Sequence, residues 1–257
     1  TQFVFIAPSM QGEEQKVVTE FATQVIQNFM KNGLGVVGST IYDSCQVYKY
    51  CPPSEEDLQR FLGWLVEQQQ DDGGWHVETE RIDFRFIATL AALSMLIREK
   101  DTKYQQSVER GKQYCIANKS FLENFQDLVD MAVAFELIVV KLIEEIDFGS
   151  ELILSDKLVG QYKKYRMALA ARTHYKDKYL HCIEAWHSGS SVSNDWLKPN
   201  GSVVCTPSAT AYWLHHKLND ESCDRDRDLI EKAKEYMRSS ANVTETGVTL
   251  YPNAYPM

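Results

Sequence analysis

The stretch that decides the fold is FLGWLVEQQQDDGGW, residues 61–75. Its apolar residues fall on one face of a helix with a period of 3.6 residues, at Phe61, Leu62, Leu65 and Val66. Gly73 and Gly74 then permit the tight reversal at which the helix stops. Trp75 supplies a large apolar ring, and the Gln69 amide can bond the backbone freed at the helix end. We interpret the stretch as a clasp between helices, although an ordinary amphipathic helix with a glycine stop has the same pattern.

The composition is that of a globular protein. Of the 257 residues, 44% are hydrophobic, which suffices for one large core or two modest ones. The formal net charge is −9, so the chain lacks the basic surface that nucleic-acid binding requires. No stretch is apolar for long enough to span a bilayer, and the first residues lack a basic region. We expect a soluble, cytoplasmic protein whose six cysteines, without C-x-x-C spacing, are reduced.

Helical periodicity covers most of the chain and predicts an all-α protein. The clearest apolar repeats lie at residues 17–29, 58–66, 86–97, 131–143, 158–169 and 229–237. No low-complexity linker separates them, so we expect one domain over residues 1–257. Trp196 with Asn200, Gly201 and Ser202 looks like a weakened copy of the 69–75 stretch. Stacked helical hairpins around a common core, an α/α barrel, would explain both features.

Six segments, in this order, resemble the N-terminal γ domain of the class II diterpene cyclases, the family of the copalyl diphosphate synthases. They are residues 39–43 for the family's S-x-Y-D motif, 69–75 for its QW motif, 134–144 for its G-F-E helix, 180–185 for L-H-S-L-E-G, 200–211 for D-G-S with S-P-S-A-T-A, and 247–252 for its Y-P block. Each motif is weak alone, but together they run almost from end to end. The resemblance implies an α/α barrel of the γ-domain type.

The resemblance also implies an activity. Class II cyclases protonate an alkene of a prenyl diphosphate such as geranylgeranyl diphosphate and form a labdane-type, copalyl-like diphosphate between their γ and β domains. The protonating acid belongs to a D-x-D-D motif of the β domain, and that motif occurs nowhere in these 257 residues. We therefore expect a γ domain or subunit with half of an active site, whose partner is a β-domain polypeptide or a second copy of itself. Mg²⁺ would enter through the substrate diphosphate.

The resemblance suggests two candidate catalytic bases. His181 matches a histidine that ends the cyclisation in plant enzymes, and Thr249 falls where those enzymes carry an asparagine. A threonine hydroxyl could hold a water, but the departure from asparagine would change where deprotonation occurs. The ordinary interpretation of His181 is a helix histidine bonded to a neighbour such as Glu184.

Candidate substrate-binding residues lie near His181 in the sequence. Lys163, Lys164 and Arg166 form a basic helix segment that could contact a diphosphate, although a solvated helix face has the same composition. Trp186 could line a prenyl cavity, although aromatic residues at helical spacing usually belong to the core.

No metal site within the protein is predicted. The adjacent His215 and His216 would point apart on a helix, and the acids Glu123, Asp127 and Asp130 depart from the spacing of the family's magnesium-associated segment.

Two other functions stay open. One is a non-catalytic α-barrel that binds an isoprenoid ligand or a protein. The other is an α/α-barrel glycosidase, which needs two inward carboxylates at a defined separation.

Overall fold

The computed structural model describes residues 39–75, 81–124, 132–172, 177–189, 191–220 and 223–252. Residues 38–257 form one compact unit, and the helix predicted at residues 17–29 lies outside the described ranges. A single domain over residues 1–257 therefore stays a prediction.

Helices dominate the described ranges. The α-helices are α1 (Ile41–Tyr50), α2 (Glu55–Glu67), α3 (Ile82–Arg98), α4 (Gln105–Ala117), α5 (Ser120–Asn124), α6 (Phe135–Glu145), α7 (Asp156–Ala170), α8 (Asp177–Leu180), α9 (Ile183–Trp186), α10 (Pro207–Leu218) and α11 (Arg227–Ser240). Short 3₁₀ turns lie at Thr102–Tyr104, Asn194–Trp196 and Cys223–Asp226. Two short strands, β1 (Asn242–Val243) and β2 (Thr249–Leu250), pair antiparallel.

The helices form two layers around a closed ring. In the inner layer α1 contacts α3, α3 contacts α6, α6 contacts α9, α9 contacts α10, and α10 returns to α1. In the outer layer α2 and α4 pack on α3, α7 packs on α6, and α11 packs on α10. The predicted all-α class is confirmed apart from the short strand pair, and the arrangement is an α/α barrel.

The sequences of the helices explain their layers. The inner helix α3 buries residues on nearly every side between Phe86 and Leu96, as expected for an element covered all round. The outer helix α11 is rich in charged residues, and its buried residues, Ile230, Ala233 and Met237, share one face. The outer helix α11 thus has the amphipathic period, whereas the inner helix α3 has a nearly continuous apolar sequence.

The stretch at residues 69–75, which we call clasp 1, joins three helices. The Gln69 amide donates 2.9 Å hydrogen bonds to the carbonyl oxygens of Gly73 and of Ser107 in α4. The Trp75 indole N–H donates to the Leu65 carbonyl of α2 over 2.7 Å, and its backbone N–H donates to the Thr89 hydroxyl of α3 over 3.0 Å. The predicted bonding of freed backbone by Gln69 is confirmed.

The same turn occurs at two further positions. In clasp 1, Gln70 N–H donates to the Gly74 carbonyl over 2.9 Å. Residues 198–203, clasp 2, repeat this with Lys198 and Ser202 over 2.7 Å. Residues 244–248 form clasp 3, with the same bond between backbone atoms over 2.8 Å. The glycines at the fourth position, Gly73, Gly201 and Gly247, have φ angles of 88°, 82° and 79°. The weak internal copy seen in the sequence is confirmed.

We expect Gly201→Ala to lower the free energy of unfolding by at least about 2 kcal/mol, because it adds left-handed strain to a steric clash. A Cβ atom at Gly201 would lie 2.3 Å from the Lys232 carbonyl oxygen of α11. Gly63→Ala is the matched control: nothing lies within 4 Å of a Cβ there, so in a helix interior this change should stabilise by about 0.5–1 kcal/mol. Urea unfolding of both variants measures the difference, and equal effects would contradict the clash.

Candidate functional site

A cavity of about 240 Å³ lies at the end of the barrel where the inner helices finish. Tyr50 is the last residue of α1, and His216 lies in the last turn of α10. We call this the barrel-end cavity. Its lining residues are Tyr50, Lys141, Tyr162, Arg166, Glu184, Ala185, Trp186, His187, Ser188, Gly189, Tyr212 and His216. Because Ser188 and Gly189 are exposed whereas Glu184 is buried, the cavity runs from the surface towards the barrel interior.

Aromatic rings form much of the cavity wall. The Tyr50 and Tyr212 rings meet edge to face with centroids 5.1 Å apart, and Tyr212 and His216 lie 4.4 Å apart. His187 Nδ1 lies 3.0 Å from the Tyr212 hydroxyl. Burial, followed by the nearby His216, lowers the pKa of His187, so this imidazole is neutral at pH 7.

A buried acidic group lies at the inner end of the cavity. The Tyr42 hydroxyl of α1 donates a 2.7 Å hydrogen bond to Glu184 Oε1, and Glu184 is 3% exposed. Burial raises the pKa of Glu184 to about 7; the Asp43 charge adds to this effect, and the bond from Tyr42 opposes it. Near neutral pH the protonated and the ionised form of this carboxyl are therefore both populated.

Asp43 is the second buried carboxyl. The Thr40 hydroxyl donates to Asp43 Oδ2 over 2.6 Å, while the Asp43 N–H donates back to that hydroxyl over 3.0 Å. This reciprocal pair caps α1. Burial raises the pKa of Asp43 to about 6, against the effect of its hydrogen bonds. Asp43 does not line the barrel-end cavity, so its role is in the helix start.

The Ser208 hydroxyl of α10 lies beside Glu184 and, like the bond from Tyr42, opposes the effect of burial on the pKa of Glu184. Glu184 Oε2 and the Ser208 hydroxyl are both buried, and neither makes a hydrogen bond of normal geometry with a residue in the described ranges. The Glu184 charge reaches the cavity wall, because after burial it is the next cause that raises the pKa of Tyr212 to about 12.

Two cations stand nearer the surface. Arg166 of α7 is half-buried and donates a 3.4 Å hydrogen bond to the Tyr162 hydroxyl. The Lys141 side chain of α6 is 38% exposed and lies 3.5 Å from Glu145, which Lys49 also contacts. The cavity therefore has a carboxyl at its inner end, aromatic walls, and positive charge towards its mouth.

The curated relatives found by sequence include diterpene enzymes. The chain is 26% identical over 255 residues to the (+)-kolavenyl diphosphate synthase of Herpetosiphon aurantiacus, covering 91% of the chain and 47% of that protein. It is 28% identical over 215 residues to the type B diterpene cyclase of Mycobacterium tuberculosis, covering 78% of the chain and 42% of that protein. This chain is a homologue of the class II diterpene cyclases. No family model matches it.

Solved structures place this diterpene cyclase homologue in the helical terpene cyclase fold. Abietadiene synthase from Abies grandis superposes with a TM-score of 0.67 at 15% identity, covering 94% of the chain and 32% of that structure. The ent-copalyl diphosphate synthase from Streptomyces platensis superposes with a TM-score of 0.60 at 18% identity, covering 91% of the chain and 48% of that structure. The homologue thus spans about half the length, or less, of the relatives that it matches.

The two candidate bases of the cyclase homologue lie in different settings. His181 is in the turn between α8 and α9, and its Nε2 atom is buried. Thr249 is half-buried in β2, and its carbonyl accepts a 3.0 Å hydrogen bond from the Tyr48 hydroxyl. Tyr48 and Tyr42 are six residues apart on α1 and so point to different faces. Thr249 is therefore held on another side of α1 from Glu184, and neither candidate base lines the barrel-end cavity.

The four predicted substrate-binding residues divide into two pairs. Arg166 and Trp186 both line the cavity, and Trp186 is 2% exposed with its indole N–H bonded to the Tyr179 carbonyl over 2.8 Å. Lys163 and Lys164 are exposed on α7 and do not line the cavity. The basic segment of the sequence thus contributes one cation, not three, to this cavity.

Sequence reasoning missed the roles of Glu184, Tyr42 and Lys141. In the sequence, Glu184 stands out only as a neighbour of His181, and Tyr42 only as part of a motif. The sequence offers one signal: a hydrogen-bond donor, Tyr42, lies in the family-like segment 39–43, and an acceptor, Glu184, lies in the family-like segment 180–185. Nothing in the sequence shows that side chains 142 positions apart bond to each other.

Other kinds of site find little support in the described part of the chain. No group of three His, Cys, Asp or Glu residues there could hold a metal ion. His215 Nδ1 lies 3.1 Å from the Tyr50 carbonyl, while the rings of His215 and His216 are perpendicular. Glu123 is exposed, and residues 127 and 130 fall outside the described ranges.

Glu184 is the one carboxylate lining this cavity, which disfavours a two-carboxylate glycosidase there. No described helix has the length and apolarity for a membrane span.

Proposed function

We propose that this chain is the γ part of a class II diterpene cyclase and contributes half of an active site for protonation-initiated cyclisation. The proposal rests on the sequence alignment with (+)-kolavenyl diphosphate synthase. This alignment covers 91% of this chain but only 47% of that enzyme. The remainder of such an enzyme would supply the D-x-D-D acid, which this sequence lacks. The substrate would be a prenyl diphosphate such as geranylgeranyl diphosphate, and the product a copalyl-like diphosphate.

The size of the barrel-end cavity supports a shared active site. Its 240 Å³ is below the roughly 300–1,000 Å³ of pockets that enclose drug-sized ligands. A diphosphate with a twenty-carbon chain would therefore need a second surface to enclose it. In this proposal Lys163, Lys164 and Arg166 attract the diphosphate, which carries Mg²⁺, and Trp186 contacts the chain. His181 and Thr249, which lie outside this cavity, are the proposed terminating bases and would have to face the surface that the β part completes.

The deciding experiment is reconstitution. The chain is incubated with geranylgeranyl diphosphate and Mg²⁺, with and without a β-domain polypeptide that carries D-x-D-D, and the products are dephosphorylated and analysed. We expect a cyclic alcohol only in the mixture. The matched control is the same β polypeptide with the middle Asp of its motif changed to Asn, which should abolish the product because proton donation is lost. Saturating folded β polypeptide that gives neither complex nor product would overturn the proposal.

A second candidate function is a non-catalytic barrel that binds an isoprenoid ligand or a protein. The segment Ser44-Cys45-Gln46, where the family carries T-A-W after its S-x-Y-D motif, favours it. Calorimetric titration with geranylgeranyl diphosphate separates the two candidates. Saturable binding with no partner-dependent turnover would support the binding protein, whereas partner-dependent turnover would exclude it.

A further inference from the structure

Two buried carboxyls lie in one cluster at the starts of three inner helices. The Tyr42 hydroxyl of α1 donates to Glu184 in the first turn of α9 over 2.7 Å. The Thr40 hydroxyl donates to Asp43 in the first turn of α1 over 2.6 Å. Asp43 and Glu184 are 1% and 3% exposed, so water screens neither charge. Both acids therefore lie where ionisation costs free energy.

Ser208, the second residue of α10, lies beside both acids. Burial raises the pKa of each carboxyl, and Ser208 opposes this rise: its hydroxyl and its backbone N–H act on Asp43, and its hydroxyl acts on Glu184. The backbone N–H is available because the first turn of a helix has no intrahelical acceptor for it. The hydroxyl has a single proton, which it can donate to only one carboxylate at a time.

No cation bonds either acid within the described ranges. Lys141 and Arg166 line the barrel-end cavity together with Glu184. Lys141, however, pairs with Glu145 over 3.5 Å, and Arg166 donates to the Tyr162 hydroxyl over 3.4 Å. The negative charge of either ionised acid is therefore balanced by hydroxyl and N–H groups alone.

The elements packed around the two acids contribute mostly neutral or acidic groups. From α3, which packs on α1, the buried acid Asp83 pairs with Arg81 over 2.8 Å. The other titratable groups that interact with the two acids, directly or through Cys182, are Tyr42, Cys45 and Tyr50 of α1, Glu136 of α6, Cys182, Tyr212 of α10 and Tyr236 of α11. Burial raises the pKa of these tyrosines and cysteines, so they stay neutral up to pH 8. After burial, the charge of Asp43 is a further cause that raises the pKa of Glu184.

We propose that Asp43 and Glu184 form one coupled acid pair, bridged by Ser208, which holds the starts of α1, α9 and α10 together while at least one carboxyl is protonated. This acid lock gives Asp43 a second role besides capping α1. When both carboxyls are ionised, two like charges lie in the barrel interior and the Ser208 hydroxyl donates to only one of them. Repulsion then loosens the three helix starts. The lock takes its members from the family-like segments 39–43, 180–185 and 200–211, and it does not rest on the proposed function.

The pH range of the lock follows from burial. Burial raises the pKa of Asp43 from 3.8 to about 6 and that of Glu184 from 4.5 to about 7. The folded state keeps protons that the unfolded state releases, so the free energy of unfolding falls as pH rises through this range. Because the two carboxyls interact, the proton losses belong to the pair and not to either residue. We therefore expect the lock to hold at pH 5.5 and to be loosened at pH 8.

Urea unfolding of Asp43→Asn, Glu184→Gln and the double variant tests the coupling. At pH 8 either single change removes the mutual repulsion, so the double variant should gain less stability than the two single gains together. Its unfolding equilibrium constant should exceed the value expected from multiplying the single effects by at least about threefold, within the range for residues of one network. At pH 4.5 both carboxyls of the folded state are protonated, and the effects should multiply. The same coupling at both pH values, or none at either, would overturn the proposal.

Ser208→Ala tests the bridge. Without the hydroxyl the pKa of both carboxyls should rise further, so the unfolding equilibrium constant should increase at least about threefold more at pH 8 than at pH 4.5, the order expected for a lost hydrogen bond to a charged group. Ser44→Ala is the matched control, since Ser44 is also fully buried but accepts the Tyr251 N–H over 2.9 Å. It should cost the same factor at both pH values. A pH-independent effect of Ser208→Ala would contradict its bridging role.

Hydrogen exchange locates the loosening. Between pH 5.5 and pH 8 the protection factors of the α1 amides should fall at least about tenfold more than those of α4 in the outer layer, because local opening exposes only the elements that it separates. The difference should disappear in the Asp43→Asn, Glu184→Gln double variant. An equal fall in α1 and α4 would mean that the whole barrel loses stability together, and the lock would not exist as a local device.

Discussion

Replacing Trp75 with alanine is expected to lower the free energy of unfolding by about 3–5 kcal/mol, the range for truncating a large buried aromatic residue. Trp75 is fully buried, and its indole N–H donates to the Leu65 carbonyl over 2.7 Å. Gly111 of α4 also packs on this ring: a Cβ there would lie 2.7 Å from it. The truncation would leave a cavity between α2, α3 and α4 and a carbonyl without its donor. Chemical unfolding at constant pH measures the loss.

Trp64→Ala is the matched control for Trp75. Trp64 lies on the same stretch but is only partly buried, and it stacks on Phe61 with ring centroids 5.9 Å apart. Its truncation should cost about 1 kcal/mol, because much of its surface is already in water. If the two alanine variants lost equal stability, the clasp would not be the element that joins these helices.

Replacing Glu184 with glutamine is expected to stabilise the protein by up to about 3 kcal/mol at pH 8 and by little at pH 4.5. In the folded state burial raises the pKa of Glu184 to about 7 from a normal value of 4.5. Between those values the folded state keeps a proton that the unfolded state releases. The free energy of unfolding of the native protein therefore falls as pH rises from about 4.5 to 7, and the loss is complete above pH 7. Glutamine does not ionise and avoids this loss.

Urea unfolding of both proteins at pH 4.5 and pH 8 checks the Glu184 prediction. Glutamine can still accept the Tyr42 hydrogen bond, so the local geometry is retained. Part of the pH dependence should persist in the variant, because burial also raises the pKa of Asp43 to about 6. Glu67→Gln, at an exposed position of α2, is the control and should leave the pH dependence unchanged. A stability difference between Glu184→Gln and the native protein that is the same at both pH values would contradict burial as the cause.

Local patterns predicted much of the barrel. The apolar period at residues 58–66 and 229–237 located α2 and α11, since outer helices bury one face and keep the other in water. The glycine pair after Gln69 located clasp 1, because a left-handed turn favours glycine. The residues predicted to be helical from 131 begin their helix only at Phe135, because Ala134 is left-handed with φ of 61°. No sequence period indicates that conformation.

The sequence by itself determined the helical class, the clasps at Gly73 and Gly201, and the order of cyclase-like segments, because these depend on side-chain period and turn chemistry over short stretches. Only the tertiary structure decided which polar groups share a site. Closure of the inner ring places Tyr42 beside Glu184 across 142 positions, and rotation around α7 puts Arg166 in the cavity while Lys163 stays in water. Burial then raises the pKa of Glu184, since the low dielectric of the barrel interior disfavours its charge.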